Sequence, residues 1–298
     1  MPQQPRLGVA YPHNELGGSP EALHRFATTV ERLGYDHLSL FDHVIGAVPG
    51  PRDHPMPERV YTERDAFHDP LVAFGYIAAV TSRLELVTGV LILPQRQTVL
   101  VARQAADVDL LSGGRLRLGV GLGYNPVEYQ VLGMDWRTRA RRIAEQIPYL
   151  RQLWSGEPIT FTGEFDRIDR AALNPAPTRP IPIWCGGSSE PALRRAAELA
   201  DGFIFGYAMN EAADRSWLRL QDLLRAQGRP VEGFRAVFNL LGESTGSWLE
   251  PSLAAMPRLR AAGATDLVVT SARNGLGSLD EHLEFLAEIK ARADEVLR

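Results

Sequence analysis

Residues 84–121, LELVTGVLILPQRQTVLVARQAADVDLLSGGRLRLGVG, contain one complete strand–helix–strand unit. Leu84 to Leu93 is a β-rich apolar run that stops at Pro94. Thr98 to Leu111 is longer and amphipathic, and Leu116 to Gly121 is again short and β-rich. A helix between two such runs is the crossover that joins neighbouring strands of a parallel sheet.

Outward from this unit the alternation continues in both directions. Strands are expected at 6–11, 37–41, 84–93, 116–121, 181–185, 202–206, 235–241 and 265–270. Helices are expected from Ser19 to Leu33, Asp69 to Thr81, Thr98 to Leu111, Trp136 to Trp154, Glu190 to Ala200, Glu211 to Gln227, Pro251 to Ala262 and Leu279 to Leu297. Eight alternating units are what a closed α/β barrel, the (β/α)8 TIM barrel, requires. Ser19 before Pro20 reads as an N-cap with proline at the first helical position, and Gly34 and Gly263 stand where a left-handed C-terminal cap would. An open doubly wound sheet is the alternative, but it normally carries a glycine-rich turn after the first strand. Here that strand runs into Tyr11-Pro12-His13-Asn14, and Gly17-Gly18 come too late.

Three segments interrupt the rhythm. Residues 43–68 form a long loop after the second strand, and residues 124–135 a shorter excursion after the fourth. The third, 157–180, reads as a small hairpin before the fifth strand, Ile159 to Phe161 against Phe165 to Ile168 around Thr162-Gly163-Glu164. Loops at the C-terminal strand ends of a barrel build its active site, so the first two matter most. The 43–68 loop is expected to serve as a lid or substrate wall.

Bulk properties narrow the function. The 298 residues are 45% hydrophobic and 23% charged, ordinary for a globular chain, and are expected to form one domain over 1–298. A formal net charge of -4 and the lack of a basic stripe argue against nucleic acid as a partner. The single cysteine, Cys185, rules out an internal disulfide and any multi-cysteine metal site. The opening residues, MPQQPRLGVAYPHNE, lack the pattern of a secretory signal, and no apolar run is long enough for a membrane span. The expected location is the cytoplasm.

Polar residues gather at strand exits. In LSLFDHVIGAVPG, residues 38–50, Asp42 and His43 end an apolar run. Successive residues of a strand point to opposite faces, so one of the pair is expected to line a site while the other orients or caps; capping of the loop alone is the other reading. WCGGSSEPALRRAAE, residues 184–198, offers free N–H groups and serine hydroxyls at a helix start. It is either a phosphate cradle or a tight turn with a serine cap. GLGYN, 121–125, brings backbone close to a ligand or simply bends, and Gly89 inside a β-run marks a bulge or a close approach. His24, His37 and His282 fall in or beside predicted helices and strands without acidic partners; His13, His54 and His68 remain open. Neither H-x-H nor H-E-x-x-H spacing occurs, and no metal site is expected.

TGVLILPQRQTVLVARQAADVDLLSGGRLRLGVGLGYNPVEYQVLG (88–133), FDH (41–43) and PIPIWCGGSSEPALRRAAELADGFI (180–204) together resemble the bacterial luciferase-like monooxygenase superfamily of barrel flavin and deazaflavin oxidoreductases. They are most similar to its coenzyme F420-dependent branch. The resemblance covers essentially the whole chain. It implies a hydride transfer between F420 and a small organic substrate, with His43 as proton carrier and Asp42 beside it and at the cofactor. It further implies that Gly89 and Val90 form a non-prolyl cis peptide behind the cofactor ring. Gly121, Gly123, Tyr124 and Asn125 would flank the cofactor, and Gly186, Gly187 and Ser188 would approach its phosphate. Where sugar-phosphate dehydrogenases of this branch carry a glutamate, this sequence has Tyr124. The alternative is an FMN-dependent monooxygenase using reduced flavin and O2, with a flavin reductase as partner; a non-catalytic flavin-binding barrel is the third. The resemblance also implies a homodimer.

Overall fold

The computed structural model describes residues 4–51, 61–242 and 246–298. Its strands are β1 (Arg6–Ala10), β2 (His37–Leu40), β3 (Glu85–Thr88), β4 (Leu91–Ile92), β5 (Leu116–Gly121), β6 (Ile159–Thr162), β7 (Arg167–Ala171), β8 (Ile183–Gly186), β9 (Gly202–Phe205), β10 (Arg235–Leu240) and β11 (Asp266–Thr270). Between them lie α1 (His13–Leu16), α2 (Pro20–Arg32), α3 (Pro70–Val80), α4 (Thr98–Leu111), α5 (Pro126–Val131), α6 (Arg139–Leu153), α7 (Glu190–Leu199), α8 (Glu211–Ala226), α9 (Leu249–Ala262) and α10 (Leu279–Val296).

The parallel strands run β3-β2-β1-β11-β10-β9-β8-β5 and close where Leu86 and Val87 of β3 pair with Leu116 and Arg117 of β5. This is the (β/α)8 barrel the alternation predicts. The expected strand 84–93 is split: β3 ends at Thr88, the Gly89–Val90 peptide is cis, and β4 resumes alongside β5 with Leu91 opposite Val120.

Most inward and outward positions of the ring are buried, as expected of a parallel barrel, with Arg6, Glu85, Arg117, Arg235 and Asn239 half-buried. Outward residues such as Leu38, Leu118, Phe203 and Leu267 meet Phe26, Phe74, Ile147 and Leu224 from the helices in one core. Inward residues Ala10, Val87, Trp184, Ile204, Val237 and Val268 fill the barrel. Burying a phenylalanine such as Phe26 completely contributes about 2–3 kcal/mol, so the α2 stripe is a substantial anchor. The cap signals take effect: the Ser19 hydroxyl accepts from Ala22 N at 3.3 Å, and Gly263 ends α9 at φ 94°.

The small hairpin forms with a later second strand than expected, β7 beginning at Arg167 rather than at Phe165. The reason is Glu145 on α6. Its carboxylate accepts from the N–H groups of Glu164, Phe165 and Asp166 at 2.6–3.0 Å, which draws those residues out of the ladder.

Candidate active site

A cavity of about 730 Å³ opens at the C-terminal strand ends. Its floor follows from the cis peptide and two glycines. Val90 projects between β5 and β8, where a Cβ on Gly121 would overlap Val90 Cγ2 and one on Gly186 would come within 2.8 Å of Val90 Cγ1. Only glycine at both positions leaves room for that side chain. Gly187, at φ 145°, carries the chain from β8 towards α7. Ser189 occupies the N-cap of α7 without making the side-chain cap bond, so its hydroxyl and the Glu190 N–H are available to an anion, whereas Pro191 has no N–H and Ala192 N donates to the Ser189 carbonyl at 2.9 Å. Gly123, Gly186, Gly187 and Ser188 line this side of the cavity together with Arg195.

Asp42 and His43 take separate roles. Asp42, 2% exposed, accepts from Ile92 N at 2.8 Å and from Arg96 at 3.2 and 2.6 Å. Burial raises the Asp42 carboxyl, and the guanidinium and the Ile92 N–H pull against that rise. Burial works against the Arg96 charge, but Asp42 and Asp69 prevail and raise it above its ordinary value. Asp42 is therefore committed to an ion pair. Asp42 and His43 both line the cavity, but Asp42 makes no hydrogen bond to His43, so the expectation that one of the pair orients the other is not met: the strand has ended, and the two side chains leave towards different neighbours.

The neighbours of His43 come from the segment after β5, including the start of α5, and from the excursion between β2 and α3. His43 Nδ1 lies 3.4 Å from Glu128 Oε1, and Nε2 lies 3.3 Å from the Tyr124 hydroxyl. Tyr61 stacks on the imidazole with centroids 3.7 Å apart, and Phe67 meets it edge-on at 4.7 Å. Glu128 is buried and accepts from Val44 N at 2.8 Å and from the Tyr61 hydroxyl at 3.0 Å. No hydrogen bond joins Glu128 and His43 in this geometry, so the buried carboxylate acts on Nδ1 through its charge, which favours hydrogen there. Nε2 then accepts from Tyr124. Burial first, and then the Glu128 charge, hold the Tyr124 phenol well above its ordinary range, so it remains a donor.

Asn125 was expected at the cofactor and is not among the residues lining the cavity. It is 1% exposed and turned into the protein, where its oxygen caps α5 through Val127 N at 3.0 Å and its amide donates to the Tyr61 hydroxyl at 2.5 Å. Glu128 itself escaped the sequence reading. Asn125 followed by Pro126, an N-cap and a first helical residue, was the available signal for α5, and it would have placed Glu128 in that helix's first turn.

The remaining histidines divide. His13 lines the cavity and stacks on Phe67 at 5.1 Å. His37 is buried within the barrel 3.9 Å from Asp266, and His282 sits 3.4 Å from Glu15, so both do have acidic neighbours. His24 lies beside Tyr76 on the exterior, and His54 lies outside the described residues.

The family model for luciferase-like monooxygenases matches residues 4–241. A Mycobacterium tuberculosis protein of uncharacterised function is 34% identical over 248 residues, 82% of each chain. The F420-dependent glucose-6-phosphate dehydrogenase of Nakamurella multipartita is 32% identical over 235 residues, 76% of this chain and 64% of that one. The FMNH2-dependent dimethylsulfone monooxygenase of Pseudomonas fluorescens is 36% identical over 142 residues, 46% of this chain and 39% of that one. Among solved structures, an F420-dependent secondary alcohol dehydrogenase superposes with a TM-score of 0.77 at 16% identity, covering 98% of this chain and 99% of that one, a likeness of fold.

Proposed function

The chain belongs to the luciferase-like monooxygenase family, and from that premise we propose that it is an oxidoreductase moving a hydride between coenzyme F420 and a small organic substrate. The observation that carries this reading is His43, held between Glu128 and Tyr124 in the cavity that Val90 also lines. The residues present fit a large planar cofactor with a phosphate tail: a floor kept open by Gly121 and Gly186, and an uncapped helix start at Ser189. When bound, F420 would supply the hydride carrier.

This chain's residues would manage the rest. Gly186, Gly187, Ser188 and Ser189 would receive the phosphate, and Gly121, Gly123 and Val90 would flank and support the ring. His43 Nε2 would give or take the proton that accompanies the hydride, a contribution of roughly 10²- to 10⁴-fold. Glu128 would bias the imidazole by its charge beside Nδ1, and Tyr124 would supply a hydroxyl donor at Nε2. The sugar-phosphate substrate of the Nakamurella relative is not carried over, because Tyr124 stands where that class has its glutamate.

The second reading is an FMN-dependent monooxygenase, favoured by the match to the dimethylsulfone enzyme, and it would require a flavin reductase as partner. Parallel fluorescence titrations with oxidised F420 and with FMN test the choice. Micromolar binding of F420 without FMN supports the first reading; the reverse overturns it.

A further inference from the structure

Two polar groups that line the cavity have no hydrogen-bond partner among the described residues. His13 is 1% exposed, and neither of its ring nitrogens has a hydrogen-bond partner. Tyr11 is fully buried, and its hydroxyl has none either. Both line the cavity, with their rings edge-on at 5.0 Å. Such groups cost about 1–3 kcal/mol each when left unpaired, so their persistence beside a cavity points to a ligand that pairs with them.

The carboxylates around the same space are already matched. Asp42 is bound by Arg96, and Asp65 accepts from Asn14 at 2.8 Å and from Thr62 N at 2.6 Å. Glu15 accepts from Arg273 N at 2.7 Å. Arg273 in turn donates to the Gly242 carbonyl at 3.2 Å, while Arg195 sits at the α7 side beside the Cys185 thiol. The unsatisfied pair, His13 and Tyr11, is neutral. Burial, with His68 and His43 nearby, pushes the His13 imidazole down to about 3, so it offers one donor and one acceptor without charge. Phe67 lies between His13 and His43, with its face to the first ring and its contact to the second edge-on, and separates the two imidazoles.

We propose that His13 and Tyr11 form a second polar anchor, distinct from His43, that receives an uncharged carbonyl, hydroxyl or amide group carried on an apolar body. The anchor selects against charged substrates, because an ion placed there would lose its hydration without meeting a counter-charge. It deepens the proposed function and rests on it only in taking the cavity as the place of reaction.

The test uses the full-length protein labelled with ¹⁵N-histidine and three probes of one shape: cyclohexanone, cyclohexanecarboxylate and cyclohexylammonium. Cyclohexanone is expected to move the His13 ring signals saturably, with a Kd on the order of millimolar for so small a molecule, and the charged probes to bind at least about tenfold more weakly. His13→Phe keeps the ring stack and removes both nitrogens. It should weaken cyclohexanone at least about tenfold and, by deleting unpaired polar atoms, raise Tm by about 2 °C. Tyr11→Phe should act in the same direction.

A charged probe binding as tightly as cyclohexanone, absence of a saturable shift, or unchanged cyclohexanone binding in His13→Phe would each overturn the anchor. A fall in Tm in His13→Phe would do so too, since it would mean that the protein itself satisfies the imidazole. None of these readouts contains a cofactor. Failure of F420 and FMN to bind would sink the oxidoreductase reading and leave the anchor standing.

Discussion

His43 and Glu128 face each other across 3.4 Å, one at the exit of β2 and the other in the first turn of α5. The carboxylate that sequence neighbours would assign to His43, that of Asp42, is held by Arg96 instead.

Glu128→Gln keeps an acceptor for Val44 N and the Tyr61 hydroxyl but removes the charge beside His43. Turnover should fall about 10- to 100-fold while cofactor affinity stays within about twofold. Steady-state kinetics and a cofactor titration on one preparation check it. An unchanged kcat would show that Glu128 only packs.

Asp42→Ala should be mainly a stability change. It leaves the Arg96 guanidinium with Asp69 as its remaining carboxylate, and breaking a buried pair from one side costs roughly 3 kcal/mol. Urea denaturation should show the midpoint fall with an unchanged slope. Arg96→Met together with Asp42→Leu should recover most of the loss.

Gly121→Ala should destabilise by about 1–3 kcal/mol, because its methyl would overlap Val90. Val90→Ala in the same chain removes the obstructing Cγ atoms, and the double variant should be less damaged than the sum of the single ones. Strict additivity would mean the floor can move aside.

Acid should weaken the protein early. His13, His37 and His282 are all lowered, in each case chiefly by burial. Below the ordinary histidine value of about 6.5 the unfolded chain takes up protons that the folded chain refuses, so stability drops as pH falls through that point and is fully present above it. Each such group contributes up to about 1.4 kcal/mol per pH unit within its window. For His13 the window extends down to about 3. Denaturation at pH 7.5 and pH 5.5 should show the drop, and His13→Phe should reduce it.

The barrel was legible because its strands are largely buried on both faces and therefore read as apolar runs, while Ser19, Pro20 and Gly263 mark helix ends by local chemistry. The site was legible only as a set of strand exits. Asp42 and His43 were picked out by adjacency, yet what each touches depends on α4-side and α5-side neighbours far along the chain, Arg96 and Glu128. Asn125 looked like a ligand contact and proved to be a cap, because polar side chains at a strand exit serve helix starts as readily as ligands. The late start of β7 depends on Glu145, whose reach to the hairpin is a tertiary fact.

One guanidinium has a consequence for how this protein can change. Arg96 Nη2 bonds Asp42 at 2.6 Å and Asp69 at 2.9 Å, the residues on which the long excursion between β2 and α3 departs and returns. Asp69 at the same time caps α3. The excursion is thus clasped at its base by a staple that belongs to the barrel, and loop length between fixed ends carries only a slowly growing entropic cost. Tyr61, Thr62, Asp65 and Phe67 inside the clasp line the cavity, so substitutions among them would alter what it accepts while the clasp itself is kept. The barrel would host new specificities as exchangeable cassettes, with Asp42, Asp69 and Arg96 as the fixed splice points.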